Sequence, residues 1–273
     1  MTMDSRRRPS TGGARIVAVA LIGAIALVGA ACSSSSTAAP TASAPQLTGS
    51  ITVAAASSLS KVFPALAIRF EATHRGTSVT FNFGSSGTLA TQIAEGAPAD
   101  VFAAAAPAPM ATVQATGSQV GPSSTFARNS LEIVVKPGNP LGIHSLGDLP
   151  RAHVVALCVS TAPCGATAAE ALTRAMVILL PTAVTRAPDV DATLAQVTTG
   201  DADAAIVYVT SAATVGTDAV GVPITTSQNV TTSYPIAVLR STSDPTLARA
   251  WVAYVLGPNG AAALLRAHFL SPR

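Results

Sequence analysis

Val53-Ala54-Ala55-Ala56-Ser57-Ser58-Leu59 is an apolar run that ends in two hydroxyls, and Phe83-Gly84-Ser85-Ser86-Gly87-Thr88-Leu89 repeats the plan further on. Each reads as a buried strand running into hydroxyls and then into a helix. The first turn of a helix carries N–H groups with no partner inside the helix, so such a junction gathers hydroxyls and amides into one cradle of donors. No charged side chain interrupts either segment before Lys61 and Glu95. That composition suits a small oxyanion held by neutral groups.

Outward from these segments, short apolar runs alternate with helical patterns. Strands are predicted at Ile51 to Ala56, Val79 to Phe83, Val101 to Ala105, Leu131 to Val135, Val154 to Val159, Ala204 to Val209 and Ile236 to Leu239. Helical spacing is found in Leu59, Val62, Phe63, Leu66 and Phe70, and in Leu89 and Ile93. It recurs at Ala166 to Ile178, Ala192 to Thr199, Thr246 to Leu256 and Gly260 to His268. Alternation of this kind predicts an α/β fold with largely parallel sheets, and the length suits two lobes. If the first helix begins at Ser58, Pro64 lies inside it and removes a backbone hydrogen bond; if the cap is Ser60, the proline falls close to the tolerated first turn.

The N-terminus speaks of export. Arg6, Arg7, Arg8 and Arg15 precede an uncharged run, Ile16 to Ala31, that is short for a membrane span and closes on small residues before Cys32. Residues 1–31 are read as a lipoprotein-type signal peptide, with Cys32 as the lipidated residue. Gly29 stands where such leaders usually have leucine, and an uncleaved anchor is the alternative. Ser33 to Ser50 holds no charge and is rich in Ser, Thr, Ala and Pro, so residues 32–46 are read as a flexible tether. The protein is therefore expected to be exported and anchored to the outer face of the cell membrane. The leader carries all of the chain's formal charge of +3, leaving twelve basic and twelve acidic side chains beyond it. A neutral chain without clustered Lys and Arg argues against a nucleic-acid partner.

Ile51 to Leu59, Gly84-Ser85-Ser86-Gly87-Thr88-Leu89-Ala90-Thr91-Gln92-Ile93 and Gly96-Ala97-Pro98-Ala99-Asp100-Val101-Phe102 resemble, in this order, the molybdate-binding proteins of bacterial ABC importers. The resemblance continues through Pro163-Cys164-Gly165, Ile206-Val207-Tyr208 and Tyr234-Pro235-Ile236-Ala237-Val238. It implies a periplasmic-binding-protein-like fold: two α/β lobes joined by a two-crossover hinge, with the ligand in the cleft between them. Lobe I would comprise residues 47–128 and 234–273, lobe II residues 129–233. The implied function is extracytoplasmic binding of molybdate or tungstate by a monomer and delivery to a membrane permease, without a cofactor and without catalysis.

The same likeness places the ligands. Ser58 and Ser86 would donate hydroxyls, Tyr208 a phenol, and Cys164 and Val190 their backbone N–H groups, with Ser57 and Ser85 as possible additions. Molybdenum would be bound only as its oxyanion, with no direct protein ligand. The family usually has alanine at Ser57 and often at Cys164. Molybdate is a tetrahedral dianion with acceptor oxygens and no proton to donate, so converging neutral donors at helix N-termini match it.

Asp189 is expected to cap a helix, and Asp191 to point away into solvent. His74, His144, His153 and His268 lack the spacing of a transition-metal site. Cys158 and Cys164 lie close in sequence, and in an exported protein a disulfide between them is expected, two free thiols being the alternative. Gly84-Ser85-Ser86-Gly87 is not the Gly-x-Ser-x-Gly of a serine hydrolase, which leaves an enzyme as a remote alternative. Another tetrahedral oxyanion such as sulfate is the nearer one, and helix capping alone is the structural reading of Ser58 and Ser86.

Overall fold

The computed structural model describes residues 47–273. The expected leader, Cys32 and tether lie outside the described residues. Nine strands and eight α-helices follow one another as β1 (Gly49–Ala56), α1 (Phe63–Thr73), β2 (Thr77–Gly84), α2 (Ser86–Ala94), β3 (Val101–Ala103), α3 (Pro107–Ala115), β4 (Gln119–Val135), β5 (Val155–Cys158), α4 (Pro163–Arg174), β6 (Val184–Ala187), α5 (Val190–Thr198), β7 (Ala204–Tyr208), α6 (Val209–Ala212), β8 (Val220–Pro223), β9 (Thr231–Leu239), α7 (Pro245–Leu256) and α8 (Pro258–Arg266).

The strands make two lobes. In the first, β2, β1, β3 and β9 lie side by side and the N-terminal part of β4 continues the sheet along β9. In the second, the C-terminal part of β4 pairs with β7 and β8, and β5 and β6 follow β7. The seventeen-residue β4 is thus shared: Gln119 to Ser130 pairs with β9, Leu131 to Val135 with β7, and Glu132 to Val135 with β8. The chain enters the second lobe within β4 and returns between β8 and β9.

Pairing is mixed rather than largely parallel. β1–β2, β1–β3, β5–β6 and β5–β7 are parallel, whereas every partner of β4 and β9 is antiparallel. The cause is topological, because a strand that carries the chain out and another that carries it back run in opposite directions. Apolar burial explains the rest of the architecture. Trp251 of α7 presents its ring edge-on to Phe63 and Phe70 of α1, and these three side chains are fully buried. In the second lobe the strands are so short and so covered that all of β5 and all of β7 are buried.

The start of α1 differs from both expected caps. Ser57–Leu59 forms a 3-10 turn, and α1 begins only at Phe63, with Pro64 in its first turn, where a missing N–H costs nothing. Neither Ser58 nor Ser60 caps it. α3, β6 and β8 were not anticipated, and the helix expected to run to Ile178 ends at Arg174.

Candidate oxyanion site

β1 and β2 are parallel neighbours in register, with Ala56 opposite Gly84. The segments that follow them leave the sheet at the same edge. Ser57 and Ser58 enter the 3-10 turn, and Ser85 and Ser86 open α2; all four are buried. Ser86 is the first residue of α2, so its N–H has no partner within the helix.

The second lobe repeats the device. Parallel β5 and β6 end with Cys158 opposite Ala187, and each leads to a helix. α4 begins at Pro163, which has no N–H, so the first amide it offers is that of Cys164. α5 begins at Val190, and Asp189 caps it as expected, its Oδ1 accepting the Ala192 N–H at 3.0 Å. A disulfide joins Cys158 and Cys164 and ties the first turn of α4 to the end of β5. Gly165 lies so tightly against the Val159 carbonyl that no Cβ would fit there.

These parts meet around one cavity of about 10 Å³ between the lobes. Ser57, Ser58, Ser85, Ser86, Cys164, Val190 and Tyr208 all line it, so every residue expected at the site is brought there. Asp189 is the only charged one among the described residues along its wall, and its carboxylate is turned to the cap described above. The space left between the lobes is on the scale of about one water molecule. Three helices, α2, α4 and α5, direct their N-termini into it, and their fields favour negative charge.

The hydroxyls around the cavity differ in their hydrogen bonding. The Ser85 hydroxyl is buried and makes no hydrogen bond, and the buried Tyr208 hydroxyl, with the side chains of Thr167 and Tyr234 close by, makes none of good geometry, although a buried polar group left unpaired costs about 1 to 3 kcal/mol. Burial, then the neighbouring Tyr234, pushes the Tyr208 phenol well above its usual range, so it keeps its proton. Ser86 Oγ accepts the Ala105 N–H at 3.0 Å, which leaves its own proton available to the cavity. No side-chain cap hydrogen bond forms at α2.

Ser58 is backed by a chain of directed hydrogen bonds. The Ser130 N–H can only donate, and it bonds Asn129 Oδ1 at 3.0 Å. That fixes Asn129 Nδ2 as the donor to Thr210 Oγ1 at 2.8 Å and to Tyr234 Oη at 3.2 Å. Tyr234 Oη in turn lies 3.0 Å from Ser58 Oγ and can give it a proton, so that the Ser58 proton is free for the cavity. Ala105, Asn129 and Tyr234 were not singled out from sequence as parts of the site. Tyr234 stands in a quoted motif, but the pairing of Asn129 with it spans 105 positions and leaves no local pattern.

Asp191 is turned away from the ion cavity toward surface cavities, as expected, but it does not stand free there: it accepts a hydrogen bond from Ser60 Oγ at 2.8 Å. Among the described residues, no three His, Cys, Asp or Glu side chains gather as a metal site.

Residues 51–270 match the family of bacterial extracellular solute-binding proteins. The chain belongs to that family. It is 38% identical over 254 residues to the molybdate-binding protein ModA of Mycobacterium tuberculosis (strain ATCC 25618 / H37Rv), a match covering 92% of this chain and 97% of the relative. Two solved structures share its fold. The periplasmic molybdate-binding protein of Azotobacter vinelandii superposes with a TM-score of 0.72 at 22% identity, covering 82% of this chain and 100% of that one. The sulfate-binding protein SubI of M. tuberculosis H37Rv gives 0.74 at 20% identity, covering 81% and 86%.

Proposed function

We propose that the protein binds molybdate, or tungstate of nearly the same size, outside the cytoplasm and delivers it to the permease of an ABC importer. It is a solute-binding protein and not an enzyme. The observation that carries the ligand class is the pair of buried hydroxyls without a hydrogen bond of good geometry, Ser85 and Tyr208, facing one small cavity from opposite lobes at the N-termini of three helices. Its near full-length relative is a molybdate-binding protein, which favours molybdate within that class.

In this reading Ser58, Ser86 and Tyr208 donate hydroxyl protons, Cys164 and Val190 donate their amides, and Ser57 and Ser85 complete the cage. Lobe I, implied by the resemblance as residues 47–128 and 234–273, extends by strand pairing on to Ser130 and back to Thr231, and lobe II lies between, so the ligand is clasped by both. Neutral donors held at fixed places select by size and geometry, whereas an arginine would attract any anion. Lipidation at Cys32 keeps the monomer near its permease on a tether. Cys32→Ala should release it from the membrane or leave an unprocessed precursor.

Calorimetric titration of the protein lacking its leader and tether, against molybdate, tungstate, sulfate and phosphate, tests the assignment. Tight binding of the first two with weak binding of the others is expected. Sulfate binding as tightly as molybdate would overturn it.

A further inference from the structure

Ser60 and Asp191 join the two lobes without lining the ion cavity. Ser60 follows the 3-10 turn that carries Ser58, and Asp191 follows Val190 in the first turn of α5. The hydroxyl of Ser60 donates to Asp191 Oδ2 at 2.8 Å, across 131 positions of sequence. Each partner is therefore two residues or fewer from a proposed contact with the ion, one in each lobe.

We propose that this hydrogen bond is a latch that sets how long the closed protein retains its ion, with Ser60 and Asp191 acting as positioning residues rather than ligands. The proposal rests on the oxyanion-binding reading above.

A carboxylate beside a site for a dianion is electrostatically unfavourable, so its presence calls for a compensating role. Burial, the largest influence, raises the pKa of Asp191, and Asp189 adds to this; the Ser60 hydroxyl and then Lys61 oppose it. The N-terminus of α5 offsets part of the charge, because an acidic side chain in the first turn is favoured there. The hydrogen bond to a charged acceptor is of the stronger kind. Its location is equally telling. Asp191 and Lys61 line two surface cavities, of about 240 and 270 Å³. Water can reach the bond from there, so it can open and close without unfolding either lobe.

A latch and a repelling charge predict opposite outcomes. Release of radiolabelled molybdate into excess unlabelled ion should be about tenfold faster in Ser60→Ala and in Asp191→Ala, with the association rate unchanged, as expected for loss of about one charged hydrogen bond. Asp191→Asn keeps an acceptor for Ser60 and should stay within about threefold of the parent. The double alanine variant should release no faster than either single one. Release at the parental rate in both alanine variants would overturn the latch, as would slower release in Asp191→Ala and Asp191→Asn together. Should the parent bind no molybdate or tungstate, the ligand reading fails, and small-angle scattering of the ion-free protein then decides the latch. A larger radius for Ser60→Ala than for the parent supports it, and equal radii overturn it.

Discussion

The backbone at Gly87, in the first turn of α2, lies so close to the carbonyl oxygen of Thr161 that a methyl group on Gly87 would collide with it. Gly87 belongs to the first lobe and Thr161 to the loop before α4 in the second. Closing the lobes over the cavity thus requires an absent side chain at this point. Gly87→Ala should leave each lobe folded but hold them apart. Overpacking of this kind costs about 1 to 3 kcal/mol, which is roughly a fivefold to hundredfold loss of affinity. Titration with molybdate, alongside an unchanged melting temperature without ion, checks this.

Tyr208→Phe removes a hydroxyl that makes no hydrogen bond of good geometry within the protein. Affinity for molybdate should fall by about tenfold to a hundredfold, since hydrogen bonds to charged groups contribute about 1.5 to 3 kcal/mol. The ion-free protein should be no less stable than the parent. Ser85→Ala should behave alike, and calorimetry with thermal melting measures both.

Ser86→Ala should weaken binding by a similar factor and also destabilise the ion-free protein. Sequence alone suggests that folding would hardly notice this change, but the Ala105 N–H depends on Ser86 Oγ. An N–H left unpaired in the interior costs about 1 to 3 kcal/mol. A lowered melting temperature in Ser86→Ala, absent from Tyr208→Phe, is the expected contrast.

Reduction of Cys158–Cys164 should lower stability by about 2 kcal/mol, the chain-entropy value for so short a loop. It should also loosen the first turn of α4 and weaken binding through the Cys164 amide. Melting and titration with and without reductant test both effects together.

Acid should act partly through Asp203, which accepts from Lys136 Nζ at 2.8 Å and from the His153 and Val154 N–H groups. Burial raises its pKa, but these bonds outweigh it and hold the carboxyl below its usual value of 3.8. The stabilisation is therefore complete above the unfolded-state value and lost as pH falls through the lower folded value. Asp203→Asn should cost about 1 kcal/mol near neutrality and flatten the acid limb of a melting-temperature profile.

The cradle was legible in part, because strand and hydroxyls follow one another locally at Ser58 and Ser86, whereas Tyr208, Cys164 and Val190 came only from the resemblance to molybdate-binding proteins. The N-terminal part of β4 was not legible, since Gly121 and Pro122 interrupt an exposed, polar stretch whose pairing with β9 shifts register twice. Met176 to Leu180 misled for a different reason. Its apolar side chains extend the helical pattern, yet Met176, Ile178 and Leu180 are exposed while Val177 and Leu179 pack inward, the alternation of extended chain. Contacts such as Asn129 to Tyr234 and Ser60 to Asp191 are set by the fold as a whole and have no signature in either neighbourhood.

A cavity walled by neutral donors has an electrical consequence. Among the described residues no cationic side chain lines it to cancel the guest, and beyond the leader the acidic and basic residues balance. Taking up a dianion without a compensating proton therefore adds two full negative charges to a nearly uncharged molecule. Loaded and empty forms should part company on a native gel or an isoelectric gradient, and a partner at the membrane has a difference in overall charge, as well as in shape, by which to tell them apart.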